Sequence, residues 1–153
     1  MKNLLRIIFL SPIMNAAVVY FSRTGNTKKF AQAIADATNA PMFELSTADA
    51  SKIASVDLLI FGTPVEGASP TKEALTYITS LPVVTGKKAI LFCTYKLFGN
   101  ERAMKVIEKE LVSRGYEVIL KVSKKGMKTE QLADFSEVIS KLKAVLYIRD
   151  GKV

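Results

Sequence analysis

Residues 16–21 read AAVVYF and run directly into Ser22-Arg23-Thr24-Gly25-Asn26-Thr27. The apolar run is rich in β-branched and aromatic side chains and has no polar face, as expected of a strand buried on both sides. Residues 28–37 follow, with Phe30, Ala33, Ile34 and Ala37 on one face of a predicted helix. The polar loop between strand and helix offers hydroxyls, a side-chain amide and a glycine. A phosphate dianion would meet helix N-terminal N–H groups that lack intrahelical partners, together with the positive end of the helix dipole. Gly25 permits close approach of the backbone. The loop is not a P-loop, which needs Lys-Ser/Thr after its last glycine, nor a dinucleotide fingerprint, which needs three spaced glycines. An ordinary capped turn would show the same polarity.

Outward from this stretch, the apolar period alternates between strand and helix. Residues 41–45 read as a second strand and residues 47–55 as a degenerate helix. Residues 57–63 (DLLIFGT) read as a third strand ended by Gly62 and Pro64. Ser69-Pro70 has the form of an N-cap and first-turn proline opening a helix striped by Leu75, Ile78 and Leu81. Residues 88–94 (KAILFCT) form a fourth strand, and Asn100 caps a helix carrying Met104, Ile107 and Leu111 that stops at Gly115. Residues 117–122 form the fifth strand and 123–128 a loop. A last helix carries Leu132, Phe135, Ile139, Leu142 and Leu146. Five strands alternating with helices predict a doubly wound parallel α/β sheet in three α/β/α layers.

The composition narrows the chemistry. The 153 residues suit one domain, 49% of them hydrophobic, with one cysteine and no histidine. That excludes a disulfide framework, a cysteine-held zinc or iron–sulfur site, and the histidine-dependent nucleophile systems. No catalytic or metal-ligating set is apparent, so the chemistry is expected from a cofactor, in a reducing compartment such as the cytoplasm. Residues 1–13 read as an N-terminal extension ahead of Met14, too short and interrupted to span a membrane, with 14–153 as the single domain. A signal peptide is the other reading of that start. The net charge of +8 is concentrated in residues 86–128, which hold eleven basic and four acidic residues. No basic helix interleaved with aromatics or Arg marks a nucleic-acid site.

The loop Ser22-Arg23-Thr24-Gly25-Asn26-Thr27 resembles the Ser/Thr-x-Thr-Gly-x-Thr signature of the flavodoxin family, which grips the phosphate of FMN. The resemblance covers residues 16–147 without a long insertion in the fifth strand, as in the short-chain type. It implies strand order 2-1-3-4-5, for which flavodoxin is itself the type example, with FMN at the switch between strands one and three. It also implies flavin contacts from two further loops. One is Thr63-Pro64-Val65-Glu66-Gly67, where Gly67 matches the glycine whose peptide reorients on reduction and Glu66 stands where many relatives carry an aromatic. The other is Thr94, Tyr95, Phe98 and Gly99, with Tyr95 and Phe98 as candidate stacking partners. Cys93 reads as a small core residue.

The resemblance implies an electron carrier that exchanges electrons with redox partner proteins, such as a ferredoxin or a reductase. Lys96, Lys124, Lys125 and Lys128 are expected on the flavin's side, which suits an acidic partner. The alternative is an FMN-dependent NAD(P)H:quinone-type oxidoreductase, and a third reading is a structural or interaction module without FMN. A response-regulator receiver is excluded, because Phe21-Ser22 and Gly62-Thr63 stand where its acidic residues belong.

Overall fold

A computed structural model describes residues 15–126 and 134–146. Strands β1 (Ala16–Tyr20), β2 (Met42–Glu44), β3 (Leu58–Glu66), β5 (Lys87–Tyr95) and β6 (Tyr116–Lys125) form a parallel sheet in the order β2-β1-β3-β5-β6. A two-residue strand, β4 (Ser69–Pro70), pairs antiparallel with the end of β3. With β4 set aside, this is the 2-1-3-4-5 order expected from the resemblance. The sheet reverses its winding between β1 and β3, and this is where open α/β sheets leave a crevice at their carboxyl ends.

Helices α1 (Asn26–Thr38) and α5 (Ser136–Leu146) cover one face. The short α2 (Ala50–Ala54), α3 (Lys72–Ser80) and α4 (Asn100–Ser113) cover the other. The continuous apolar runs follow from this double burial. Along β1, Ala17 and Val19 enter one core while Val18 and Tyr20 enter the other, and β3 and β5 divide their side chains in the same way. On the α1/α5 side, Phe30 packs against Phe92 and Phe135 with ring centroids 5.0 Å apart in each pair. Truncating a fully buried Phe of this kind costs roughly 3–5 kcal/mol. Cys93 is buried, and burial pushes its thiol up to about 12, as fits a core residue.

Several boundaries differ from the sequence reading. Pro64 does not end the third strand, which continues to Glu66. The Gly62 carbonyl faces β1, where it accepts from the Phe21 N–H at 3.0 Å. Alternate residues face the same neighbour, so the missing N–H of Pro64 falls beyond the end of β1, where no ladder partner is needed. Ser69-Pro70 is a strand and not a helix start. The cap of α3 is Thr71, whose hydroxyl accepts from the Ala74 N–H at 3.1 Å. Its inner face is Ala74, Tyr77 and Ile78, with Leu81 buried beyond the last turn and Leu75 only partly covered. Gly99 and not Asn100 caps α4, and the Asn100 amide donates to the Ser123 hydroxyl at 2.9 Å. The degenerate helix resolves into a 3-10 turn (Leu45–Thr47) and α2, which Asp49 caps.

Strand β6 is longer than expected and runs through the predicted loop to Lys125. Its ladder with β5 carries a bulge: Ala89 opposes Val118 and Ile90 opposes Leu120, which leaves Ile119 as the extra residue. Tyr116 and Val118 therefore pack on the α3/α4 side, and Leu120 and Val122 on the α1/α5 side. The expectations on residues 1–13, Lys128 and Leu132 lie outside the described residues, and no helix among the described residues is long and apolar enough to cross a membrane.

Candidate functional site

The carboxyl ends of β1, β3, β5 and β6 surround a cleft of about 690 Å³. Its first wall is the loop after β1. Gly25 has φ 100°, a conformation that favours glycine, and it caps α1 without a side chain. The Ser22 hydroxyl turns inward and accepts from the N–H groups of Gly25 at 3.1 Å and Lys28 at 3.2 Å. Thr24 and Asn26 line the cleft at the helix N-terminus. Thr27 is buried, and its hydroxyl lies 2.7 Å from that of Thr94. It ties the loop to the end of β5.

The second wall is the β3–β4 hairpin. Val65 opposes Pro70 and Glu66 opposes Ser69, which leaves Gly67-Ala68 as a two-residue turn. Both have positive φ, 58° and 61°, the signature of a type I′ turn. Ala68 carries a Cβ there, at a cost of roughly 1–2 kcal/mol. Thr63 does not reach the cleft. It is buried, donates to the Pro64 carbonyl at 2.9 Å and accepts from the Thr71 N–H at 3.3 Å, anchoring the hairpin to α3.

The third wall follows β5. Tyr95 is partly buried, whereas Leu97 and Phe98 stand 77% and 73% exposed at the rim. Gly99 supports the hairpin from behind: a Cβ built on it would lie 2.6 Å from the Ala68 Cα. The fourth wall is Gly126, just past β6, whose N–H donates to the Tyr95 carbonyl at 2.6 Å. A Cβ there would press on the Asn26 amide at 3.1 Å.

Charge at the mouth is arranged around Arg23. Its guanidinium donates from Nε to Glu66, from Nη2 to Glu66 Oε1 at 3.2 Å and to Glu73 Oε1 at 2.9 Å, and it lies 5.0 Å from the Phe21 ring centroid. A backbone hydrogen bond at the start of α3, reinforced by Arg23, holds the Glu73 carboxyl below its ordinary value. Lys96 lines the cleft, and Lys124 and Lys125 lie in register beside Thr94 and Tyr95.

Of the residues singled out in the sequence, Arg23, Thr24, Asn26, Pro64, Val65, Glu66, Gly67, Thr94, Tyr95 and Phe98 line this one cleft. Ser22, Gly25, Thr27, Thr63 and Gly99 shape its walls from behind. The sequence reading expected Lys96 on this side of the sheet, as found, but did not select Ala68, Leu97 or Gly126 as lining residues. For Gly126, the available signal was a glycine directly after a lysine pair at the end of the last strand. The cleft combines an anion-attracting helix N-terminus with apolar and aromatic walls, and its volume lies in the usual range for a cofactor pocket. Among the described residues no cluster of metal-binding side chains occurs.

Comparison with known proteins gives consistent results. A family model described as a flavodoxin domain matches residues 17–145. An uncharacterized protein of Methanocaldococcus jannaschii is 29% identical over 118 residues, covering 76% of this chain and 78% of the relative. Among solved structures, a flavodoxin of Streptococcus pneumoniae TIGR4 superposes with a TM-score of 0.68 at 25% identity, covering 90% of this chain and 99% of that one. Flavodoxin 2 of Bacillus cereus gives 0.71 at 22% identity, covering 88% and 99%.

Proposed function

This chain belongs to the flavodoxin family, and from that premise we propose that it binds FMN in the cleft and carries electrons between redox partner proteins. The observation that supports this most is the convergence of the Thr24–Asn26 segment, at the N-terminus of α1, with the apolar hairpin and the Tyr95–Phe98 loop on a single cleft. Phosphate and isoalloxazine need just these two kinds of surface, side by side.

In this reading the Thr24 hydroxyl, the Asn26 amide and the backbone of residues 22–27 hold the phosphate. Ser22 and Thr27 fix the loop from within. Pro64, Val65 and Gly67 border one flank of the ring system. Thr94 and Tyr95 border the other, with Phe98 able to cover it, and Gly99 sets the spacing between the two flanks. Bound FMN supplies reversible one- and two-electron chemistry. The protein's own share is to orient the ring, exclude water from its inner edge and leave its outer edge open to a partner. The basic rim of Lys96, Lys124 and Lys125 suits a partner with an acidic docking face, and a lone buried cysteine suits a reducing compartment.

The test is purification followed by an absorbance spectrum and identification of the extracted flavin. The expected result is a yellow protein with one FMN per chain that is not bleached by anaerobic NADPH alone. A protein that stays colourless in excess FMN, or that retains stoichiometric FAD, overturns the cofactor assignment. Bleaching by NADPH overturns the carrier assignment in favour of a reductase.

A further inference from the structure

The Arg23 side chain leaves its own loop and reaches Glu66 on the cleft wall and Glu73 at the start of α3. It joins three segments that are distant in sequence: the loop after β1, the end of β3 through Glu66, and the first turn of α3 through Glu73. Glu66 directly precedes the Gly67-Ala68 turn, whose second residue is held in a conformation that an alanine does not favour. Gly99 blocks that turn from behind, and Arg23 holds it in front. The three charged side chains are 41–44% exposed, so any single pair is weak and sensitive to salt. A two-pronged fork that also engages a second carboxylate and an aromatic face restricts the side chain more than one exposed pair does.

We propose that Arg23 is a positioning residue: it clamps the hairpin tip over the cleft through Glu66 and screens the Glu66 and Glu73 carboxylates from an anionic ligand, rather than contacting the phosphate itself. Its fork is already filled by two carboxylates, and swinging it onto a phosphate would strand both, with Glu66 on the wall of the anion site itself. The clamp stands on the geometry of the protein alone. The screening role rests on the FMN reading above.

The test uses the full chain with Arg23→Gln, Glu66→Gln, the double variant and Arg23→Lys. Two quantities are measured at low ionic strength: backbone ¹⁵N order parameters of residues 66–69 without ligand, and the FMN dissociation constant. In Arg23→Gln the order parameters should fall from the rigid range near ~0.85 towards ~0.6. The dissociation constant should rise about tenfold, because the two unscreened carboxylates then repel the anionic ligand at low salt. The double variant, with one of the two stranded carboxylates neutralised, should bind FMN more tightly than Arg23→Gln. Arg23→Lys keeps the charge without the fork, so it should recover affinity while the tip stays mobile.

Unchanged order parameters in Arg23→Gln overturn the clamp. A double variant that binds no better than Arg23→Gln overturns the screening role and makes Arg23 a direct phosphate contact. If no form binds FMN, the order parameters still decide the clamp, and it is the cofactor assignment that falls.

Discussion

Thr24 and Thr27 stand three residues apart in one loop, yet their surroundings are opposite. Thr24 is exposed on the cleft wall, whereas the Thr27 hydroxyl is buried against that of Thr94. Substitutions at the two should therefore separate binding from stability. Thr24→Ala is expected to weaken FMN binding by roughly 1.5–3 kcal/mol, the worth of one hydrogen bond to a charged group, and to leave the urea midpoint unchanged. Thr27→Val keeps the shape but strands the Thr94 hydroxyl, so it should lower stability by about 1–3 kcal/mol. Paired FMN titration and urea unfolding check both. The loop's place on the cleft was legible because hydroxyls, glycine and amide crowd into six residues. The fate of each hydroxyl was not, since Thr27 meets a partner 67 positions away.

Among the elements, the hairpin and α3 depend on each other. Thr71 caps α3 through Ala74, and its hydroxyl lies 3.2 Å from that of Thr63, so helix start and strand end share one buried cluster. Thr71→Ala should cost about 1–2 kcal/mol and Thr71→Ser much less, as read from urea unfolding of the two variants. The central strands could be read from sequence because burial on both faces leaves an unbroken apolar run. The hairpin could not. A two-residue strand shows no alternation, Pro64 looks like a stop until the end of β1 is known, and Ser69-Pro70 imitates a helix start two positions before the real cap. Strand β6 was read short because its last lysines look like loop, although they lie beside Thr94 and Tyr95 in the ladder. Gly126 and the partners of Arg23 became visible only once strand order brought distant segments together.

For the whole molecule, stability is expected to fall in alkali. Burial pushes the Cys93 thiol and the Tyr77 hydroxyl each up to about 12, from ordinary values of 9.0 and 10.0. The unfolded chain releases these protons at the ordinary values while the folded chain keeps them. Stability should therefore hold below about pH 9 and fall from there towards 12. Urea midpoints across that range measure it, and Cys93→Ala should remove the earliest part of the fall. The basic rim makes a second global prediction. A lysine ~10 Å from an added charge contributes at most ~0.4 kcal/mol in water-like surroundings, so Lys96, Lys124 and Lys125 matter only together. Association with an acidic redox protein should slow as salt rises, and Lys→Glu at all three positions should abolish that dependence at low salt. The bulge at Ile119 extends the same reasoning to changes in chain length. Since Ile119 opposes no residue of β5, its deletion leaves Val118 and Leu120 opposite Ala89 and Ile90 and moves nothing downstream. Deleting Lys121 instead would draw the lysine pair and Gly126 back by one position, about 3.3 Å, and turn each to the other face. The strand thus has a place where a residue can be lost without shifting the register of the residues at the cleft. Folding and FMN affinity of the two deletion variants should differ accordingly, with the first close to the parent and the second severely impaired.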